Sequence, residues 1–436
     1  MGVEAGAVHG RHVLRDLQGI VGESHALEAS EADAVDGVVP GFVAEPATIE
    51  EAREVMALAG RPSGGSGSAG LAVVPRGAGS KLHWGNPPSR LDLILSTRRL
   101  NRVLEHAAGD LVVRAEPGVT LESLQRTVAA AGQRLALDPP EPGATLGGIV
   151  AANASGPRRL RFGTARDLLI GITYVLPNGT VARAGGKVVK NVAGYDLGKL
   201  FTGSLGTLGL LVETIFRLHP LPAMARTVVL RGVDRPEDLG AAVQAILHSP
   251  LVPSALEFTW DARGTLAVLF EGIEPGVAAQ VEGALQRLRP LGDLLVLGEE
   301  EQASWWDGSP GWQRAAGAAR LKIAVVPGDL PHMLRHVIAS ADRRGAGRRL
   351  HGRAGTAVMF ATLTADTPTL TEMIRDIRRE AAGRGGSAVV LDAPAGVKRA
   401  VDVWGPVGDA LPLMRRVKEQ FDPDGIMSPG RFVGGL

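Results

Sequence analysis

The chain has 436 residues, 45% of them hydrophobic, and 47 Lys and Arg against 46 Asp and Glu leave a net charge of +1. That length buries a sizeable core and divides into two or three domains, while the balanced charge excludes a dominant basic surface for nucleic acid. There is no cysteine, which excludes disulfides, thiol nucleophiles and any iron–sulfur cluster held by this chain. The first thirty residues lack a signal-peptide core. No apolar run reaches the ~18 residues of a membrane span, so a cytoplasmic protein without direct membrane insertion is expected.

Residues 1–40 are polar and poorly patterned, reading as a helix followed by a loop, and ordered structure is expected from about Val39. Thr48-Ile-Glu-Glu51 reads as a capping box that opens a helix running to Ala59. Strands are predicted at 71–74, 91–95 and 111–115, and a helix at 121–131 stopped by Gly132. Residues 144–152 read as a short helix. Segments 168–176 and 180–184 form a hairpin about Asn178-Gly179, a pair suited to a tight turn. A strand at 210–218 closes on His219-Pro-Leu-Pro222. From there the order strand, helix, strand, strand, helix, strand runs twice, over 227–297 and 321–391, as in ferredoxin-like units. An amphipathic helix at 411–421 precedes a turn-rich tail. The domains read as 1–38, 39–222, 223–395 and 396–436.

Three glycine-rich segments follow in order: Pro75-Arg-Gly-Ala-Gly-Ser80, Gly143-Ala-Thr-Leu-Gly-Gly148 with its extension to Gly156, and Gly194 to Gly209. Successive backbone N–H groups in such turns form anion-binding nests, and glycine allows close approach. The second segment also opens a helix, whose N-terminus favours phosphate. Two nests on one ligand suit a dinucleotide, taken here to be FAD. Gly65-Ser-Gly-Ser-Ala-Gly70 satisfies G-x-G-x-x-G, but it follows a helix and precedes a strand, the reverse of the Rossmann order, and reads as a linker. No G-x-x-x-x-G-K-[ST] occurs.

On these segments the chain resembles the vanillyl-alcohol oxidase and p-cresol methylhydroxylase superfamily of FAD-binding proteins, and within it the FAD-linked oxidases of 2-hydroxy acids. The ending Phe421-Asp-Pro-Asp-Gly-Ile-Met-Ser-Pro-Gly-Arg431 is similar to the family's closing segment. The short second part is most similar to glycolate oxidase E subunits. The resemblance implies an α+β fold: a two-part FAD-binding domain of this type plus a cap of ferredoxin-like units. It implies that Arg76, Gly77, Ala78, Gly79 and Ser80 bind the pyrophosphate. Gly143, Ala144, Thr145, Gly147, Gly148, Asn153, Ser155 and Gly156 would line the isoalloxazine and phosphates. Gly163, Asp167 and the segment from Gly206 to Leu211 would enclose the ribityl and adenine parts, with Ser428 and Arg431 near the flavin ring.

Three departures from the family stand out. The first loop has no histidine to tether FAD, since His83 lies beyond it, so FAD is expected to be noncovalent. The family's Gly-Asp-Gly-Asn-x-His pattern is replaced by His351-Gly-Arg-Ala-Gly-Thr-Ala-Val, without its Asp and final His. Ser428 stands where Asn is usual.

Hydroxy-acid oxidation needs a hydride acceptor, a base for the hydroxyl proton and cations for the carboxylate. Lys322 matches the position of a substrate-binding lysine, or is a strand-edge lysine facing water. Arg353 reaches the cleft or is solvated; His351 is a candidate general base or a structural residue. Tyr195 lies beside the last glycine segment or simply packs. His332 and His336 share a helix face but lack further ligands, so no metal is expected. Trp305, Trp306 and Trp312, in a cap loop, would shield the flavin, meet a partner or pack.

Three functions stay open at this level. The chain is the FAD-binding subunit of a glycolate or D-lactate dehydrogenase complex, oxidising glycolate to glyoxylate and passing electrons to a partner or membrane acceptor. Such a complex would add a second FAD subunit and an iron–sulfur subunit, and would meet the membrane only through its partners. Alternatively the chain is a free-standing FAD oxidoreductase of another hydroxy acid or alcohol, or a structural subunit with a vestigial flavin site.

Overall fold

The structure is a computed structural model that describes residues 2–62, 70–187, 194–307 and 317–436, with side chains from residue 11 onward, 303 apart. Gly65 to Ala69 of the linker, and Trp312, lie outside the described residues.

Ordered structure begins long before Val39. A helix spans Gly2–Val21, and Ala26–Glu28 pairs antiparallel with Phe42–Ala44. The apolar residues Val13, Leu14, Leu17, Ile20 and Val21 recur at helical spacing among charges, and this face packs on the first sheet. That sheet runs in the order Ala26–Glu28, Phe42–Ala44, Leu93–Ser96, Val73–Arg76, with the last three strands parallel. Helix Ile49–Ala59 is opened by Thr48, whose Oγ1 accepts from Glu51 N at 3.1 Å. Glu51 does not close the expected reciprocal bond; its carboxylate accepts from Ala47 N instead.

The second sheet is antiparallel, in the order Val103–Ala107, Val112–Ala115, Leu210–Arg217, Leu169–Val175, Val181–Gly185. Its last hairpin turns at Asn178-Gly179, where Gly179 takes φ +81°. Val175, Leu210 and Val212 of this sheet share one core with the first sheet and its helices. On its other side Leu146, Ile149 and Val150 of helix Leu146–Ala152 pack beside Tyr174 and Phe201.

The two β-α-β-β-α-β passes merge into one eight-stranded sheet. They join where Ala255–Trp260 meets Gly347–Arg353 antiparallel, pairing Glu257 with Arg353 and Thr259 with His351. Leu256, Phe258 and Trp260 point to the helices on one face. Strand alternation therefore turns Glu257 and Thr259 to the other face, towards the first two sheets. The chain then returns. Val73 N donates to Ile426 O and Ser428 N to Val73 O, both at 2.8 Å, which lays the tail beside the first glycine loop. Helix Leu411–Phe421 ends with Phe421 against Tyr174 and Phe201.

Candidate active site

Strand Val73–Arg76 ends at the first glycine loop. Arg76 Nη1 donates to Asp33 Oδ1 at 2.7 Å, so its side chain is tied to the N-terminal segment. Among the described residues no acceptor meets the backbone N–H of Gly77, Ala78, Gly79 or Ser80. A Cβ on Gly77 would lie 2.1 Å from Thr145 Oγ1, in the second glycine segment. Thr145 caps Leu146–Ala152 by accepting from Gly148 N. The third segment folds back onto that helix, with Leu205 N donating to Ala151 O at 2.8 Å. Gly206 takes φ +73° and passes Pro75 so closely that a Cβ would sit 3.1 Å away. Asn153, Leu205 and Ser428 all hold left-handed backbone, at φ +45°, +53° and +45°. Such conformations cluster where a surrounding structure overdetermines them.

These loops enclose a cavity of about 860 Å³, within the ~300–1,000 Å³ typical of ligand pockets. Arg76, Gly77, Ala78, Gly79, Gly143 and Thr145 line it, together with residues 34–37 of the N-terminal segment. An adjoining hollow is lined by Ser80, Ala144, Gly148, Gly206 and Arg431, and a third by Gly147 and Leu211. Ser428 is fully buried beneath, its Oγ 3.4 Å from Gly206 O. Arg431 donates to Leu82 O and Trp84 O, and burial lowers its pKa to about 10. Ser155 O accepts from Arg353 of the cap, and Gly156 lies against Asp138. Gly163 and Asp167, like Asn153, Ser155 and Gly156, line none of the three hollows. Asp167 is spent on a helix cap, accepting from Thr164 N at 2.7 Å, and a Cβ on Gly163 would strike it.

The facing cap surface is cationic. Strand register sets Thr259, His351, Phe360 and Lys322 in one row, and Glu257, Arg353, Val358 and Ala324 in the next. Arg353 is 5% exposed, donates to Ser155 O, and lies over the Phe360 ring at 4.9 Å. It is thus a buried bridge from cap to cradle, not a solvated side chain. Lys322 sits on an interior strand rather than an edge. Burial, then the charges of Arg159 and Arg353, lower its pKa to about 8. His351 stacks on Phe360, and burial with Arg353, Arg320 and Arg349 nearby lowers its pKa to about 3. A histidine so depressed is neutral at pH 7 and a poor proton acceptor, which counts against it as the general base.

Sequence reasoning did not single out Glu257, whose Oε1 is closed off from solvent and meets no hydrogen-bond donor. Burial raises its pKa to about 8, against the pull of Arg353 and Arg159. The signal was present: in Ala255-Leu-Glu-Phe-Thr-Trp260 the polar residues alternate with the core residues, on a strand with neighbours on both sides. Lys81 and Glu141, paired at the mouth of this region, were also missed.

Other candidates fall away from the site. Tyr195 is 91% exposed. Trp305 and Trp306 belong to helix Glu299–Asp307 and pack on Val229, Ala267 and Leu297, with Trp306 Nε1 donating to Thr227 Oγ1. His332 bonds Glu380 on the outer helices. Among the described residues no group of three His, Asp or Glu could hold a metal, and no helix is long and apolar enough to cross a membrane.

Residues 40–185 match the model of an FAD binding domain, and residues 404–432 that of the C-terminal domain of FAD linked oxidases. An uncharacterized FAD-linked oxidoreductase of Mycobacterium tuberculosis is 30% identical over 439 residues, covering 91% of each chain. The chain belongs to the FAD-linked oxidoreductases. A D-lactate dehydrogenase of Archaeoglobus fulgidus is 33% identical, covering 90% of this oxidoreductase and 91% of that protein. Glycolate oxidase subunit GlcE of Escherichia coli is 29% identical over 373 residues, covering 84% and 93%. The fold is shared with substrate-bound p-cresol methylhydroxylase, at TM-score 0.74, 14% identity and coverage of 97% and 96%. The α+β class with a p-cresol methylhydroxylase-type FAD domain is therefore correct, and the cofactor of this FAD-dependent oxidoreductase is FAD. The open N–H groups of the first loop, and the close approach of Gly77 to Thr145 that leaves no room for a Cβ, suit a bound pyrophosphate.

Proposed function

We propose that this chain is the FAD-binding subunit of a 2-hydroxy-acid dehydrogenase complex that oxidises glycolate to glyoxylate. The observation that carries this reading is the juxtaposition of the glycine cradle with two cations on the opposing cap face, the buried Arg353 and the half-buried Lys322. Bound FAD supplies a two-electron acceptor in that space. The loop at Arg76–Ser80 holds its pyrophosphate through open backbone N–H groups, noncovalently, since no histidine lies in the first loop, while the segment from Gly143 to Gly148, whose N–H groups other than that of Thr145 already meet protein acceptors, walls the pocket beside it. Arg431 and Gly206 shape the side of the pocket nearest the tail.

Arg353 and Lys322, with Arg159 beside them, neutralise and orient the substrate carboxylate. The bond from Arg353 to Ser155 O fixes its guanidinium where the cap meets the cradle. Phe360 floors the site and excludes water. With no cysteine, the chain passes its electrons to a partner that carries the clusters. Likeness to a glycolate oxidase subunit, and the missing Asp and His of the family pattern, support a second FAD subunit beside this one. In this reading residues 1–222 build the flavin domain, 223–395 the cap and 396–436 the return. The complex is cytoplasmic and touches a membrane only through its partners. Likeness to a D-lactate dehydrogenase supports the alternative of a self-sufficient enzyme.

The test is anaerobic titration of the purified, flavin-loaded chain with glycolate and with D-lactate. Bleaching of the visible flavin bands by either acid is expected. Flavin that stays oxidised with every 2-hydroxy acid, with and without partner subunits, overturns the proposal.

A further inference from the structure

The site described so far contains cations for a carboxylate but no assigned acceptor for the hydroxyl proton. His351 is unsuited to that task, because it is neutral, stacked and ringed by arginines. One acidic side chain on the same cap face is aimed into the gap between cap and cradle. Glu257 lies on an interior strand, directly across from Arg353 in the register, with its neighbours Leu256 and Phe258 turned away into the helix-side core.

Three of the elements around Glu257 place charge near it, while the strand Gly264–Gly272 on its other side presents only Ala267. The adjoining strand presents Arg353. The short helix Arg159–Phe162, which packs on the Glu257 strand, presents Arg159. The segment before the cradle's second loop presents Asp138. None of these closes a hydrogen bond to the buried Oε1 of Glu257, and Arg353 Nε is likewise buried without an acceptor. An orphaned buried carboxylate oxygen and an orphaned guanidinium N–H across one strand pair are costly to leave unmade. A ligand with an acidic end and an adjacent hydroxyl satisfies both at once, its carboxylate on the arginine and its O–H on the glutamate.

We infer that Glu257 is the general base of this subunit, accepting the hydroxyl proton of a 2-hydroxy acid. This rests on the 2-hydroxy-acid reading above. The substrate O–H bond breaks, its proton forms a bond to Glu257 Oε1, and the released electron pair closes the C=O bond. The hydrogen on the adjacent carbon leaves with its own pair, so the substrate loses two electrons to FAD and becomes the 2-oxo acid. Arg159 and Arg353 hold the ionised carboxylate in place, and Asp138 opposes it.

The carboxyl is protonated in the free enzyme at neutral pH, because burial raises its pKa to about 8. Turnover by this base therefore climbs with pH and levels off above about 8.

The decisive experiment compares wild type, Glu257→Gln and Glu257→Asp as flavin-loaded chains, with partner subunits where these are needed for turnover. Three quantities are read: flavin content, the pH profile of flavin reduction by glycolate and D-lactate, and the infrared band of a protonated carboxyl across the same pH range. The inference expects full flavin content in all three and an infrared band that titrates near about 8 in wild type. Glu257→Gln should lack that band, lose the rising limb, and reduce flavin roughly 100- to 10,000-fold more slowly. Glu257→Asp should recover part of the rate with a shifted limb. A Glu257→Gln variant that keeps the wild-type rate and pH profile overturns the base assignment and leaves the 2-hydroxy-acid reading standing. Wild-type flavin that no 2-hydroxy acid reduces overturns that reading, and the assignment falls with it.

Discussion

Lys398 Nζ sits 2.9 and 2.8 Å from the two carboxylate oxygens of Asp36, an ion pair between residues 362 apart in the chain. Lys398 also donates to the carbonyls of His83 and Gly85. One buried cation thus fastens the N-terminal segment, the stretch after the first glycine loop and the helix Ala395–Ala400 that leaves the cap. Asp36 holds φ +51° and lines the main cavity, so the clamp shapes the cofactor's space as well as the fold.

Removing one partner of such a pair leaves an uncompensated buried charge, which costs about 3–5 kcal/mol. Lys398→Met is therefore expected to lower unfolding stability by that amount and to weaken flavin retention. Asp36→Asn in the same chain should restore part of the loss, since Asn tolerates the left-handed backbone and removes the stranded charge. Urea unfolding of both variants decides the matter. A single variant as stable as wild type would mean that the clamp contributes nothing.

Gly77→Ala should act on the cofactor rather than on the fold. The new methyl would press on Thr145 Oγ1, the cap of Leu146–Ala152, in the space that opens towards the cavity. The expected result is native circular dichroism with at least a tenfold drop in FAD affinity, on the order of 1.4 kcal/mol. Pairing it with Thr145→Ala, which removes the clashing oxygen, should return part of that affinity. Flavin content after gel filtration gives the readout, and an unchanged ratio of flavin to protein would speak against the cradle.

Much of this architecture was legible from local pattern. The twice-repeated order of strands and helices located the cap sheet, and helical period placed Leu411–Phe421 at its observed bounds. Glycine spacing located the cradle because close backbone approach restricts the residue type. What stayed hidden depends on long-range pairing. The helix Gly2–Val21 is amphipathic, but its charges masked the stripe until the sheet beneath gave that stripe a partner. The cap that Asp167 makes with Thr164, and the room that Gly163 leaves for its carboxylate, also show only once the chain is folded. Glu257 escaped notice because its meaning comes from the register with Arg353, and no single strand reveals that.

Lys322 illustrates a trade between stability and binding. Its folded pKa of about 8 lies below the ordinary 10.5 because burial, Arg159 and Arg353 oppose its charge. The folded state therefore binds fewer protons than the unfolded chain between about pH 8 and 10.5, and stability climbs with pH across that window. Lys322→Met should remove that slope and raise stability at pH 7 by up to about 3 kcal/mol. The same change should weaken binding of oxalate, a carboxylate analogue, by roughly tenfold or more. Calorimetry at pH 7 and pH 10 tests both halves. A variant less stable than wild type at pH 7, or one that binds oxalate as tightly, contradicts the assignment of Lys322 to the anion site.

Glu271 joins the cap to the flavin domain, and acid should unfasten it. Arg134 grips its two oxygens at 2.7 and 3.0 Å, and Arg158 adds a contact at 3.2 Å. Burial alone would raise the carboxyl's pKa, but the bond from Arg134 and the charges of Arg158 and Arg134 outweigh it, and the net shift is downward. A depressed carboxylate stabilises the fold fully above its unfolded pKa, and that contribution is lost as pH falls through the folded value. Wild type should therefore lose stability progressively below about pH 4.5, in part through this group. Glu271→Gln strips Arg134 of its carboxylate and leaves Arg158 with Asp138, and is expected to cost about 3–5 kcal/mol at pH 7. It should also flatten the acid limb, because no proton remains to be taken up at that position. Melting temperatures of both proteins from pH 7 to pH 3 separate these effects: parallel curves would show that the cap is held elsewhere, whereas converging curves place the acid-sensitive hinge at Glu271.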